Sequence, residues 1–201
     1  MTPRLLLFWL VFLAGFQVQA QDEWELKRNE NGIEVYTRKQ EDAQFKEIKI
    51  VTVLPGTTRE LVAAVMDVDS YQDWVYGIKD SYVLKKINNT SIIYYNEVDL
   101  PWPFSDRDLV NHITVQKDPK SGKTVIQSKA IPDHIPKKDD LVRIPFATAN
   151  WDITPVADKE LKVVYTFRVN PGGSLPPWLV NSIATVGPYN TFVELRKKLQ
   201  Q

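Results

Sequence analysis

Residue types that support catalysis are scarce in this chain of 201 residues. It contains no cysteine, which excludes thiolate chemistry and disulfides, and its two histidines, His112 and His134, are too far apart in sequence to suggest a metal site. The sequence also lacks serine-hydrolase, zinc-protease and phosphate-binding glycine motifs. It therefore predicts no catalytic residue, no metal site and no cofactor.

Alternating strand positions predict that several polar side chains face the interior. Neighbouring residues of a strand point to opposite faces, so a polar residue that is two or four positions from an apolar one lies on the same face of the sheet. A buried guanidinium needs a partner, so Arg107 either clamps a neighbouring loop or contacts a polar group of a ligand. The predicted inward set is Tyr94, Asn96 and Val98 on one strand and Arg107, Leu109 and Ile113 on the next.

The segment Pro101-Trp102-Pro103-Phe104 lies between two predicted strands, where proline removes backbone donors. Its two aromatic side chains either form a movable gate or pack on the core in a tight turn, and the two interpretations are compatible. Trp178 opens the last predicted helix, which should lie beside this segment. The nearby run Gly172-Gly173-Ser174 has no lysine of the phosphate-binding kind, which favours a plain loop.

An antiparallel meander of long strands must position these residues, because the pattern from residue 79 to 170 has a period of two. In the last strand Tyr165 and Phe167 share one face with other apolar residues, and Lys162 lies on the other, so the sheet should have one wet face. The predicted strands are residues 81–87, 91–100, 106–116, 124–130, 143–154 and 161–170.

Elements before and after the meander follow from turn and cap signals. Residues 24–28 are predicted as a short helix. The Asn31-Gly32 turn then leads to strands at 33–38 and 45–54. Thr57 with Glu60 forms a capping box, which predicts a helix at 57–67. A helical turn follows at 70–74. The last helix begins at Pro176 and Pro177 and should pack on the sheet, so that the two enclose a cavity. Its apolar stripe is Leu179, Ile183, Val186, Phe192, Val193 and Leu195.

The first twenty residues have the pattern of a signal peptide. Arg4 precedes an apolar run from Leu5 to Phe16, and small residues at Val18 and Ala20 suit a signal peptidase. We expect cleavage after Ala20, export across the inner membrane to the periplasm, and one mature domain at residues 21–201. The 25 basic and 25 acidic side chains balance, which argues against nucleic-acid binding and against lasting adhesion to an anionic membrane. We expect a monomer whose membrane contact is transient and apolar.

The chain resembles the START lipid-transfer domain family, in its bacterial form, along the whole predicted mature domain. The resemblance implies an α+β helix-grip fold, in which a curved antiparallel sheet wraps around a long C-terminal helix and encloses an apolar tunnel for one lipid or other apolar molecule. A loop between two central strands and the C-terminal helix would form its gate. The segments that carry it, in the family's order and spacing, are residues 67–75 (DVDSYQDWV), 100–110 (LPWPFSDRDLV) and 170–181 (NPGGSLPPWLVN).

This resemblance implies non-catalytic binding and shuttling of a lipid or other hydrophobic ligand in the cell envelope. Sterol carriers of the family have an acidic and a basic residue in the tunnel, and the corresponding positions here are near Tyr94 and Ile113, which argues against a sterol. One alternative is a cyclase or aromatase that uses Tyr94, Asn96, Arg107 and Tyr165 in the same tunnel. Another is an interaction module that senses a small ligand. The full predicted ligand-binding set is Tyr94, Asn96, Val98, Trp102, Phe104, Arg107, Leu109, Ile113, Tyr165, Phe167, Trp178, Ile183 and Val186.

Overall fold

The computed structural model describes residues 23–39 and 45–201, so the predicted signal peptide lies outside the described residues. The described residues form ten strands: β1 Glu25–Glu30, β2 Ile33–Arg38, β3 Glu47–Pro55, β4 Ile78–Asn88, β5 Ser91–Val98, β6 Arg107–Lys117, β7 Thr124–Ala130, β8 Val142–Arg143, β9 Phe146–Ala157 and β10 Glu160–Asn170. The described helices are α1 Thr58–Met66, α2 Tyr71–Trp74 and α3 Pro177–Lys198, and a short 3₁₀ turn at Val68–Ser70 joins α1 to α2. None of the helices in this part of the chain is long and apolar enough to cross a bilayer.

The strands form one curved, mainly antiparallel sheet in the order β1-β2-β3-β10-β9-β7-β6-β5-β4, as the predicted meander requires. The prediction of one continuous strand at 143–154 is wrong at its start. Pro145, which has no N–H to donate, separates β8 from β9, and β8 pairs in parallel with β6 beside Arg107 and Asp108. This short parallel pair lies where β6 emerges from the segment that contains Trp102.

The predicted helix at residues 24–28 is also wrong, because residues 25–28 belong to the edge strand β1 and Trp24 directly precedes it. Asn31 and Gly32 both have positive φ angles, 52° and 67°, which suit a tight hairpin turn and pair β1 with β2. The local helical preference is overridden by this ladder of backbone hydrogen bonds. The Trp24 ring lies beside two cations of the neighbouring strands, at 4.3 Å from Lys49 Nζ and 4.5 Å from Arg38 Cζ.

The first helix forms as its cap predicts. Thr57 Oγ1 accepts the N–H of Glu60 at 3.3 Å, and the Glu60 carboxylate accepts the N–H of Thr57 at 2.7 Å. Leu61 and Val65 then point into the core. The second predicted helical turn is present as α2, and Gly77 follows it with a φ of +75°.

The outer face of the sheet is only partly exposed to solvent, which corrects the prediction that one face is buried and the other solvent-exposed. Tyr95 and Val110 are fully buried there, under Ile131 and Ile135 of the segment between β7 and β8. This cover is held by Arg143, whose guanidinium forms two hydrogen bonds, of 2.9 and 2.8 Å, to the buried Asp108 carboxylate. Arg143 also donates to backbone carbonyls in the cover.

Candidate functional site

A cavity of about 300 Å³ lies between the inner face of the sheet and α3. Alternate residues of β5, β6 and β10 point into it, which confirms the inward parity predicted for these strands. The strand register places Tyr94 opposite Asn111 and Asn96 opposite Leu109. Nine predicted site residues line this cavity: Tyr94, Asn96, Val98, Arg107, Leu109, Ile113, Tyr165, Phe167 and Ile183.

The other four predicted site residues, Trp102, Phe104, Trp178 and Val186, lie outside the cavity lining. Val186 is 40% exposed because it lies two residues, or about 200° around the helix, from both Ala184 and Pro188, which line the cavity. Trp178 is 70% exposed for the same reason, since it lies two residues before Val180, which lines the cavity. The predicted apolar stripe of the last helix is therefore wrong at Val186.

Aromatic rings form part of the cavity wall. Trp151 packs against Phe192 of α3 and against Tyr165, with ring centroids 5.1 and 4.7 Å apart, and Tyr165 and Phe192 are 5.4 Å apart. Sequence reasoning did not include Trp151 or Phe192 in the site, although Phe192 belongs to the predicted apolar stripe of the last helix and Trp151 to a predicted strand. It also missed Asn111, whose parity with Arg107 was a usable signal.

The Arg107 guanidinium joins two loops at one end of the cavity. It is 4% exposed and donates to the carbonyls of Ser105, in the segment after Trp102, and of Pro171 and Gly172 before α3, the last two at 3.4 and 3.3 Å. None of the described carboxylates forms an ion pair with it. Burial lowers the pKa of Arg107, with Asp106 acting in the opposite direction. These partners are those expected of a clamp between loops, and ligand contact by Arg107 stays a prediction.

The two glycines before α3 allow this clamp to form. Gly172 and Gly173 have φ angles of +66° and +63°, a region that disfavours residues with a side chain. A Cβ atom on Gly173 would lie 3.2 Å from Arg107 Nη2, and one on Gly172 would lie 3.1 Å from Pro145 Cδ. The close approach of the backbone to Arg107 explains the glycines and agrees with the plain loop predicted for this run.

The segment from residue 99 to 106, here called the gate loop, has a fixed base and an exposed tip. The Asp106 carboxylate accepts the N–H of Leu100 at 3.0 Å and pairs with Lys79 Nζ at 2.9 Å. The Lys79 ammonium and the Leu100 N–H lower the pKa of Asp106, and the hydrogen bond to Asp106 raises the pKa of Lys79 to about 12. At the tip, Trp102 is 93% exposed.

The interior of the cavity is uncharged apart from Arg107. Burial raises the pKa of Tyr71, Tyr94 and Tyr165, so these hydroxyls stay protonated at neutral pH. Of the lining residues in the described part of the chain, the one carboxylate belongs to Asp99, which is exposed, and histidine does not occur among them. The arrangement can enclose an apolar molecule and hydrogen-bond a polar group within it.

Comparison with known proteins supports the architecture. A family model described as START domain matches residues 14–201. An uncharacterized protein of Pseudomonas aeruginosa is 29% identical over 180 residues, which cover 90% of this chain and 88% of that protein. The phosphatidylcholine transfer protein of Mus musculus is 27% identical over 182 residues, which cover 89% of this chain and 84% of that protein. The crystal structure of a STAR-related lipid transfer protein fragment from Xanthomonas axonopodis matches with a TM-score of 0.83 and 32% identity, covering 90% of this chain and all of that one.

Proposed function

Because the chain belongs to the START domain family, we propose that it binds one lipid or other hydrophobic molecule and carries it without catalysis between membranes of the cell envelope. The observation that supports this most directly is the apolar cavity of about 300 Å³ between the sheet and α3. Its size suits a small-molecule site. Relatives named as lipid transfer proteins support the same assignment.

The energetics of burial require that such a carrier can open. Each enclosed methylene contributes about 0.8 kcal/mol, so a ~16-carbon chain gains on the order of 13 kcal/mol before the costs of binding. A closed cavity would hold such a ligand too long for transfer. Trp102 at the tip of the gate loop and Trp178 at the start of α3 are both exposed, and the loops that carry them meet at Arg107. We propose that these aromatics contact a bilayer transiently while the gate opens.

We also propose that the protein acts as a monomer in the periplasm, after cleavage behind Ala20. The support is the signal-peptide pattern of residues 1–20 and the balanced charge, which gives no lasting attraction to an anionic membrane.

Binding without catalysis is favoured over the cyclase or aromatase alternative. An acid–base mechanism needs a group beside the ligand that changes protonation near the working pH. The buried groups available among the described lining residues are tyrosines with raised pKa values and the Arg107 guanidinium. Neither kind acts as a base at neutral pH.

The test is stoichiometric uptake of an apolar probe by the exported protein. We expect saturable one-to-one binding of a fluorescent acyl-chain probe, and a co-purifying lipid in native mass spectrometry. Ala184→Phe, which adds a ring to the cavity lining, should weaken uptake at least tenfold, whereas the matched Ala157→Phe on the exposed end of β9 should not. No saturable uptake across several lipid classes would rule out the carrier.

A further inference from the structure

Tyr165 lies in the middle of β10, an inner strand of the sheet, and its side chain points into the cavity. Its ring packs against Trp151, Phe192 and Phe167, with ring centroids 4.7, 5.4 and 6.2 Å away. The side chain is nevertheless only partly buried, whereas Trp151 and Phe192 are 7% and 1% exposed. Because β3 and β9 cover both edges of β10, the accessible part of Tyr165 faces the cavity.

The hydroxyl group of Tyr165 is free to bind a ligand. It has no hydrogen-bond partner among residues 23–39 and 45–201, and it is not one of the unpaired side-chain atoms that are fully enclosed by protein, so it borders the open volume of the cavity. The two buried tyrosines of the lining have engaged hydroxyls: Tyr71 donates to the carbonyl of Val65, and Tyr94 accepts an N–H of Asn111 at 3.0 Å. Tyrosine hydroxyls inside proteins usually have a partner. The position of Tyr165 leaves that role to the molecule that fills the cavity.

The surroundings of the Tyr165 hydroxyl are uncharged. Burial raises the pKa of Tyr165, and Tyr94 acts in the same direction, so the hydroxyl stays protonated at neutral pH. Of the charged residues in the described lining, Arg107 donates to loop carbonyls and Asp99 is exposed, and neither contributes to this pKa shift. An ionised ligand group beside Tyr165 would lose its hydration without gaining a counter-ion, which is strongly unfavourable.

From these observations, and resting on the proposed carrier function, we infer that the Tyr165 hydroxyl donates a hydrogen bond to an uncharged oxygen of the ligand and selects for it. The ligand class is accordingly a neutral lipid with a carbonyl or hydroxyl oxygen on an apolar chain, such as an acyl ester, a long-chain ketone or a long-chain alcohol. Because Trp151 and Phe192 hold the ring, the hydroxyl has a fixed position, and one hydrogen bond sets how far the chain enters.

The test measures the binding of 2-tridecanone and tridecane, which differ by one carbonyl oxygen, in competition with a fluorescent acyl probe on the exported protein. Tyr165→Phe removes the hydroxyl and keeps the ring that packs against Trp151. It should weaken ketone binding about three- to tenfold, the effect of one net hydrogen bond, and leave tridecane binding within about twofold. Tyr82→Phe, the same change on an exposed tyrosine of β4 outside the cavity, is the matched control and should alter neither affinity.

A second measurement reports the hydrogen bond itself. Donation to a carbonyl oxygen weakens its double bond, so the carbonyl stretching band of bound 2-tridecanone should lie at lower frequency in the wild type than in Tyr165→Phe. This band does not depend on small changes in the stability of the variant. Equal frequencies in the two proteins would overturn the inference.

The outcomes separate this inference from the carrier proposal. If Tyr165→Phe binds both compounds as the wild type does, or weakens both equally, the carrier stands and the hydroxyl contact is refuted. A preference of the wild type for dodecanoate over 2-tridecanone that Tyr165→Phe abolishes would show that the hydroxyl takes an ionised headgroup, which also overturns the inference. If no ketone, alkane, fatty acid or other lipid binds, both proposals fall.

Discussion

Replacing the aromatic side chains of the gate loop should slow ligand exchange and leave the bound state almost unchanged. Trp102 is 93% exposed and Phe104 is half-buried, and neither lines the cavity. The double variant Trp102→Ala with Phe104→Ala therefore removes few internal contacts, and we expect equilibrium affinity to shift by less than roughly 1 kcal/mol. A large apolar side chain buried in a bilayer contributes about 1.5–3 kcal/mol. Losing that contact should reduce the transfer rate by a factor of about 12 to 140, since each 1.4 kcal/mol changes a rate about tenfold.

Two measurements on the same protein separate rate from affinity. Stopped-flow transfer of a fluorescent lipid between donor and acceptor vesicles gives the rate, and equilibrium titration gives the affinity. Val156→Ala is the control, because Val156 is 52% exposed at the end of β9 remote from Phe146 and the gate. It removes exposed apolar surface without touching the mouth of the cavity, so transfer by this variant should match the wild type.

The opposite pattern would refute the reasoning. A large loss of affinity or of melting temperature, with an unchanged transfer rate, would mean that the two aromatics pack on the core and do not act at a membrane. An equal slowing by Val156→Ala would mean that transfer responds to exposed apolar area anywhere on the surface. A gate changes the barrier to exchange and not the two end states, so only the selective effect on rate supports it.

The remaining predictions concern stability and export. Arg107→Ala should lower the melting temperature and ligand uptake more than Lys162→Ala, since Arg107 joins two loops from a buried position and Lys162 is exposed; equal values in thermal melts and titrations would contradict this. Asp108→Asn should cost about 3–5 kcal/mol in denaturant unfolding by leaving a buried guanidinium unpaired. Breaking the exposed pair of Glu194 by Glu194→Gln should cost less than about 1 kcal/mol. N-terminal sequencing of exported protein should begin after Ala20, and an intact start in a membrane fraction would identify an anchor instead.

The strands and the first helix were predictable because local rules determine them. Alternation predicted the faces of Tyr94, Arg107 and Tyr165, and the reciprocal bonds of Thr57 and Glu60 follow from their spacing alone. The partners of these residues were not predictable in the same way. Arg107 was expected to need a partner. That its partners are carbonyls of two different loops depends on the contact in space between Arg107 and Pro171, which are 64 residues apart in sequence.

The errors lie where tertiary contacts override local preference. The helix predicted at residues 24–28 does not form, because residues 25–28 belong to β1 and pair with β2. Val186 has the spacing of a buried residue but lies on the exposed side of α3. The buried outer face has the same cause. Its cover comes from the segment between β7 and β8, and Asp108 became a buried ion-pair partner only because Arg143 reaches it there.

By itself, the sequence determined which residues alternate, where the chain turns and which family it resembles, because each depends on neighbours within a few positions or on ordered motifs. Tertiary structure alone decided which inward residues enclose a cavity. The sequence placed Trp74 at the end of a predicted helical turn and in a family segment, and it left Asn111 unremarked. Both residues line the cavity because Tyr71 of α2 packs against Tyr94 and Asn111 donates to the Tyr94 hydroxyl, contacts that no local pattern specifies.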